Sequence, residues 1–96
     1  MDPVLLLARL VGLSEQVRAQ LTAGHFAGRR VVLPHGGSSL DAALAARIVL
    51  ADVDHCLFLR DCWDGMVPPQ RAHDLLAQLQ ALARVPHAAA ERAPRP

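Results

Sequence analysis

The chain lacks lysine and tyrosine, and Phe26, Phe58 and Trp63 are its only aromatic residues of the Phe, Tyr and Trp types. All ten basic residues are arginines, they are spread along the chain, and the formal net charge is only +1. A nucleic-acid-binding surface needs a basic patch and usually several aromatic side chains on which bases can stack. Because the sequence has neither, we expect no nucleic-acid partner.

Long apolar runs and pairable cysteines are also scarce. The apolar segment at residues 3–8 is interrupted by Arg9 well short of a membrane-spanning length, and no positively charged segment precedes it. We therefore expect it to begin a soluble helix, with no membrane partner. Cys56 and Cys62 lie six residues apart in a segment that we predict to be extended, which places them beyond disulfide reach. Two reduced thiols and a cytoplasmic location are the expectation.

The composition is that of one small globular domain. Of the 96 residues, 52% are hydrophobic and 20% are charged. A chain of this length buries only about 65% of its unfolded surface, so we expect a single core. We assign residues 1–86 to this domain. Residues 87–96 have no periodic apolar face and end in prolines, so we predict a flexible tail rich in Pro, Ala and Arg.

Hydrophobic spacing predicts an α/β fold of five elements. In order, these are a helix over residues 3–23 stopped by Gly24, a short buried strand over 30–33, a helix over 40–51, a second buried strand over 55–60 and a helix that begins at Pro69. The α-β-α-β-α order is that of a minimal Rossmann-like layer with parallel strands and right-handed crossovers. Two strands leave open edges, so we expect a third short strand near residues 85–89 or association with another chain.

All three predicted helices have an apolar stripe. In the first helix it is formed by Leu6, Leu10, Leu13, Val17 and Leu21. In the helix over residues 40–51, Leu40, Leu44 and Ile48 recur every four residues, with several alanines alongside. The stripe of the last helix is formed by Ala72, Leu75, Leu76, Leu79, Leu82 and Ala83. That helix is expected to pack against the sheet.

The turn His35-Gly36-Gly37-Ser38-Ser39 is the most distinctive local feature of the sequence. Its two glycines free the backbone to point successive N–H groups outward, and the helix that follows adds a partial positive charge at its N-terminus. These properties predict an anion-binding site suited to phosphate. The alternative interpretation is a plain strand-to-helix turn in which Ser38 or Ser39 caps the helix.

Asp61 follows the predicted strand over residues 55–60. Ligands of open α/β sheets collect at the carboxyl ends of strands, so Asp61 and the turn at residues 35–39 are expected to line one crevice. There Asp61 would act as a general base or orient a donor, and Arg60 would pair with it or with the ligand. The alternative is an ordinary loop or capping aspartate. We expect no metal site and no cofactor, because the His, Cys and Asp residues have no recognisable ligand spacing.

The second half of the chain resembles methylglyoxal synthase. The run Val53–Asp61 ends in Phe-Leu-Arg-Asp and is followed by a proline-containing loop, a leucine-rich helix and Val85-Pro86-His87-Ala88, as in that family. Gly36-Gly37 matches the Gly-Gly that precedes the family's catalytic aspartate, and the resemblance covers about residues 31–90. It implies a Rossmann-like domain that binds a triose phosphate, usually as a hexamer, and eliminates phosphate from dihydroxyacetone phosphate.

The resemblance departs from the family's pattern at several positions, among them Ser38 and Cys62. Ser38 stands where the family has its catalytic aspartate, and only Gly36, Gly37 and Asp61 match cleanly. We therefore predict a methylglyoxal-synthase-like domain that binds phosphate or a triose-phosphate-like anion, with elimination chemistry altered or lost. Any enzymatic activity would be that of a carbon–oxygen lyase acting on a triose phosphate.

Two alternatives belong to other functional classes. The first is a non-enzymatic interaction or regulatory module that completes its sheet or helix packing as a homo-oligomer or with a protein partner. The second is a small enzyme that uses Cys62 as nucleophile and His73 as base.

Overall fold

The computed structural model describes residues 3–34, 36–62 and 69–86, and of residues 3, 59–62 and 69 it describes the backbone alone. Within those ranges the chain forms three helices and one two-stranded antiparallel sheet. In order, the elements are α1 (Pro3–Thr22), β1 (Arg30–Val32), β2 (Ser39–Asp41), α2 (Ala42–Cys62) and α3 (Pro69–Ala83). The expected mixture of helices and strands is confirmed, whereas the order of the elements and the strand direction differ from the prediction.

The first helix, α1, begins and ends close to where the sequence predicts. The buried members of its apolar stripe are Leu6, Leu10 and Val17. At its C-terminus the N–H of Gly24 donates to the carbonyl of Leu21 at 3.1 Å, and the N–H of His25 donates to the carbonyl of Gln20 at 2.9 Å. These two bonds form a Schellman motif, and Gly24 adopts the left-handed φ of 74° that the motif requires. The predicted stop at Gly24 is confirmed.

A β-hairpin lies between α1 and α2. Its two strands are antiparallel, with Val31 opposite Leu40. The predicted strand over residues 30–33 is confirmed in position, but its predicted burial is wrong, because Arg30 and Val32 are exposed and Val31 is only half-buried. The two strands are joined by a short turn and not by a helical crossover, so the pairing is antiparallel and not parallel.

The largest difference concerns residues 55–60, which are the C-terminal part of α2 and not a buried strand. A short apolar run has no period that separates a strand from a buried helix. Neither glycine nor proline occurs between residues 38 and 64, so nothing in the chain stops the helix. Val53 and Cys56 are buried three residues apart while Phe58 is exposed, which is helical and not alternating burial. The observed order is therefore α-β-β-α-α.

The core lies between the three helices, and α1 and α3 form the most extensive helix–helix contact. α3 begins at Pro69 as predicted, and its predicted apolar stripe is confirmed, with every member buried except the half-buried Ala83. It packs mainly on helices and not on a sheet. No helix within the described ranges is both long and apolar enough to cross a membrane.

Two predicted features lie wholly or partly outside the described residues. Val85 and Pro86 follow α3 without forming a strand, and the rest of the third strand expected near residues 85–89 lies outside the described ranges. The predicted tail at residues 87–96 lies outside them as well.

Candidate functional site

The predicted anion site corresponds to the turn of the β-hairpin. Gly36, Gly37, Ser38 and Ser39 are exposed, and His35 lies outside the described residues. The N–H of Gly36 donates to the carbonyl of Leu33 at 2.9 Å, so this N–H closes the turn and does not face a ligand. Gly37 has a φ of 78°, a backbone conformation that glycine adopts without steric cost. The two glycines therefore have a structural task in reversing the chain.

The N-terminus of α2 is capped by Asp41. Its Oδ2 accepts a hydrogen bond from the N–H of Leu44 at 2.9 Å, which is the contact between an N-cap side chain and the third helical residue. The predicted cap at Ser38 or Ser39 is wrong, because these serines precede the helix and Ser39 belongs to β2. A carboxylate at this position also offsets the partial positive charge that the anion-site hypothesis assigned to the helix terminus.

A cation does lie beside the turn. Arg30 donates from Nε to Oγ of Ser39 and from Nη2 to the carbonyl of Ser39, both at 2.8 Å. The guanidinium thus bridges β1 and β2 and holds Ser39 in place. Both residues are exposed, so the remaining guanidinium N–H groups face solvent at the turn.

Arg60 and Asp61 lie at the opposite end of α2 from the turn. Both belong to its last helical turn, and their side chains lie outside the described residues. The helical rise from Ala42 to Asp61 is roughly 28 Å. The structure does not bring the turn and Asp61 together, because the strand that was expected to place them at one sheet edge is a helix.

Two acidic residues of α2, Asp52 and Asp54, form exposed ion pairs with the two neighbouring helices. Asp54 Oδ1 lies 3.0 Å from Nη2 of Arg18 on α1, and Asp52 Oδ1 lies 3.8 Å from Nη2 of Arg71 on α3. Pairs this exposed contribute little to stability. Across the described ranges, no three or more His, Cys, Asp or Glu residues are grouped so that they could hold a metal ion.

A second apolar face runs along α2 on the side opposite its buried face. Leu44 and Ile48 are each 48% exposed and Phe58 is 58% exposed. Ala51 and His55 lie between them and are also exposed. These five residues, which we call the outer stripe, recur at steps of four, three, four and three residues. That is the spacing of the contact positions in helices that pack along a common seam.

The four-residue repeat that predicts this helix is not its buried face. Leu44 and Ile48 are exposed, and the core side of α2 is formed by Ala42, Ala45, Ala46, Val49, Leu50, Val53 and Cys56. The sequence contains the signal for the outer stripe, since the heptad steps run on to Phe58. Assigning residues 55–60 to a strand ended the pattern at Ile48 and concealed it.

One flank of the outer stripe is charged. Arg47 precedes Ile48, Asp54 precedes His55, and both charged residues are exposed. Asp54 pairs with Arg18, as described above. Arg47 forms no hydrogen bond or ion pair within the part of the chain that the structure describes.

Comparison with known proteins finds no matching family model, no matching curated protein and no matching solved structure. Over the described residues, the fold is a mixed one of three helices and a two-stranded sheet, and α2 has an exposed apolar face. The resemblance to methylglyoxal synthase stays a prediction.

Proposed function

We propose that this chain is a non-enzymatic interaction module that self-associates by packing the outer stripe of α2 against a second copy. The observation that carries this proposal is the row of large apolar side chains, Leu44, Ile48 and Phe58, each about half exposed on one helix face. A single exposed leucine is ordinary on a protein surface. A row at heptad steps is the pattern of a face that another helix covers.

The charges beside the outer stripe are better suited to contact with a second copy of the chain than with a lipid surface. Helices that lie on membranes border their apolar face with several cationic residues. Among the side chains that the structure describes on α2, Arg47 is the one cation beside the outer stripe, and the nearby Asp52 and Asp54 are acidic. The formal net charge of +1 leaves little electrostatic repulsion between two copies.

The size of the outer stripe supports weak, reversible association. Completing the burial of a half-exposed Leu, Ile or Phe contributes roughly 0.75 to 1.5 kcal/mol, so the six side chains of two copies contribute roughly 4.5 to 9 kcal/mol. Association costs at least about 4 kcal/mol in lost freedom of the two molecules. With the largest gain from burial and the smallest cost of association, the net free energy of binding is about 5 kcal/mol, which corresponds to a dissociation constant on the order of 0.1 mM.

Sedimentation equilibrium over roughly 10 μM to 1 mM protein tests the proposal at this affinity. The average mass of the wild-type chain should rise with concentration, and Ile48→Glu should stay monomeric because a charge cannot be buried unpaired at the contact. Val32→Glu is the matched control, since Val32 is an apolar residue 58% exposed on β1, outside the outer stripe. A wild-type chain that is monomeric throughout would refute self-association. Equal loss in both variants would refute the assignment to α2.

A second candidate function is anion binding at the hairpin turn, as the resemblance to methylglyoxal synthase implies. It is supported by the guanidinium of Arg30 beside the exposed residues 36–39. The ligand would be phosphate or a triose-phosphate-like anion. Elimination chemistry would be altered or lost, since Asp61 lies roughly 28 Å along α2 from Ala42, the first helical residue after the hairpin. The Rossmann-like layering of that family would need a second parallel strand, which residues 55–60 do not supply.

Titration calorimetry with phosphate and with dihydroxyacetone phosphate tests this second candidate. Binding should release heat at millimolar ligand, and Arg30→Gln should weaken it because the cation beside the turn is lost. Absence of heat with both ligands would remove the anion-binding function without affecting self-association.

A further inference from the structure

The charged flank of the outer stripe is self-complementary. Arg47 and Asp54 are seven residues apart, so they lie two helical turns apart on the same side of α2. Each directly precedes a member of the outer stripe, Ile48 in one case and His55 in the other. One flank therefore has a cation nearer one end and an anion nearer the other.

We infer that two copies pair with their α2 helices antiparallel, so that Arg47 of each copy faces Asp54 of the other. This inference rests on the proposed function and specifies the orientation of the contact. In a two-fold antiparallel pair, the charged flank of one α2 helix contacts the charged flank of the other, and the two flanks run in opposite directions. The cation of each flank then meets the anion of the other, and the contact forms twice.

The outer stripe places the two-fold axis near Ala51. Leu44 and Phe58 are each seven residues from Ala51, so Leu44 of one copy faces Phe58 of the other. Ile48 of one copy faces His55 of the other, with an offset of one residue along the helix axis. All five members of the outer stripe are covered in this register, and the small Ala51 at the crossing point lets the helices approach closely.

The flank charges fit the same register. Arg47 lies four residues before Ala51 and Asp54 lies three residues after it, so the two are offset by one residue, roughly 1.5 Å along the axis. A parallel pair would instead direct Arg47 toward Asp52 of the second copy. Both aspartates already lie near an arginine of their own chain, Asp52 near Arg71 and Asp54 near Arg18. Asp52 is half-buried whereas Asp54 is exposed, so the antiparallel pair is the arrangement that brings Arg47 to the more accessible carboxylate.

Charge exchange between two variants tests the orientation. Arg47→Asp alone and Asp54→Arg alone should each weaken self-association about tenfold, because both pairs become like-charge contacts. Mixing the two variants should restore association, since each heterodimer again has two opposite-charge contacts. Arg18→Ala is the control for the intrachain pair of Asp54, and it should associate at least as well as the wild type. Failure of the mixture to exceed the single variants would overturn the antiparallel pairing.

Disulfide trapping gives an independent readout, in a Cys62→Ser background where the remaining cysteine, Cys56, is buried. Leu44→Cys should not cross-link to itself, because an antiparallel pair separates its two copies by roughly 21 Å along the axis. A mixture of Leu44→Cys with Phe58→Cys should cross-link as a heterodimer. Self-cross-linking of Leu44→Cys would overturn the inference while leaving self-association through α2 intact. A wild-type chain that is monomeric by sedimentation would overturn both.

Discussion

Replacing Asp41 by alanine should lower the free energy of unfolding by about 1 kcal/mol. The first N–H groups of a helix have no partner within the helix, and the Asp41 carboxylate satisfies that of Leu44 at 2.9 Å. Alanine removes this acceptor together with a negative charge at the positive end of the helix dipole. Asp41→Asn should recover most of the loss, because an amide oxygen also accepts the bond.

Urea unfolding followed by circular dichroism at about 222 nm measures the effect of Asp41→Ala directly, since helical content reports folding of this chain. For a domain of this length the dependence on urea is about 1 kcal/mol per molar, so the midpoint should fall by roughly 1 M. The corresponding thermal midpoint should fall by about 4 to 8 °C. All variants are compared at one low protein concentration, because association adds apparent stability.

Ser38→Ala is the control that separates the observed cap from the one predicted by sequence. Ser38 is exposed and precedes β2, so its replacement should leave the urea midpoint nearly unchanged. If Ser38→Ala lowers the midpoint as much as Asp41→Ala, the helix is capped by the serine. The start of α2 at Ala42 would then be refuted.

In two further pairs of variants, the two members of each pair should differ in their effect on the free energy of unfolding. Gly24→Ala should destabilise the chain by about 1 kcal/mol in the same urea assay, because a φ of 74° is strained for any residue with a Cβ. Gly12→Ala should instead stabilise α1 by up to about 1 kcal/mol, since no atom lies within 4 Å of the added Cβ. Equal signs would contradict the Schellman motif. Leu79→Ala should destabilise by about 2 to 5 kcal/mol because Leu79 is fully buried, whereas Leu44→Ala should change monomer stability by less than about 1 kcal/mol. A similar loss in both would contradict the burial of α3 and the exposure of the outer stripe.

The elements that the sequence predicts correctly are those whose signals are local. The stripe of α1 and its stop at Gly24 lie within one continuous segment, and so do the start of α3 at Pro69 and its leucines. Capping, helix termination and helical periodicity act over three or four residues. A single sequence is therefore sufficient to find them.

The errors in α2 have a different origin. Residues 55–60 are apolar enough for either a buried strand or a helix, and that choice depends on the neighbours available for packing. The error also affected the predicted site, because a continuous helix places Asp61 at the end of α2 that is far from the turn. The short strand β2 was missed because three residues beside a glycine turn have no period to detect.

The sequence by itself determined the limits of α1, the start of α3, the chain reversal at Gly36-Gly37 and the apolar character of α2. Only the tertiary structure decided which apolar face of α2 is inside. The alanine-rich face lies against the other two helices, where small side chains permit close packing, and Leu44, Ile48 and Phe58 remain outside. Periodicity shows that a helix face is apolar, but whether that face is covered depends on neighbours that are distant in sequence.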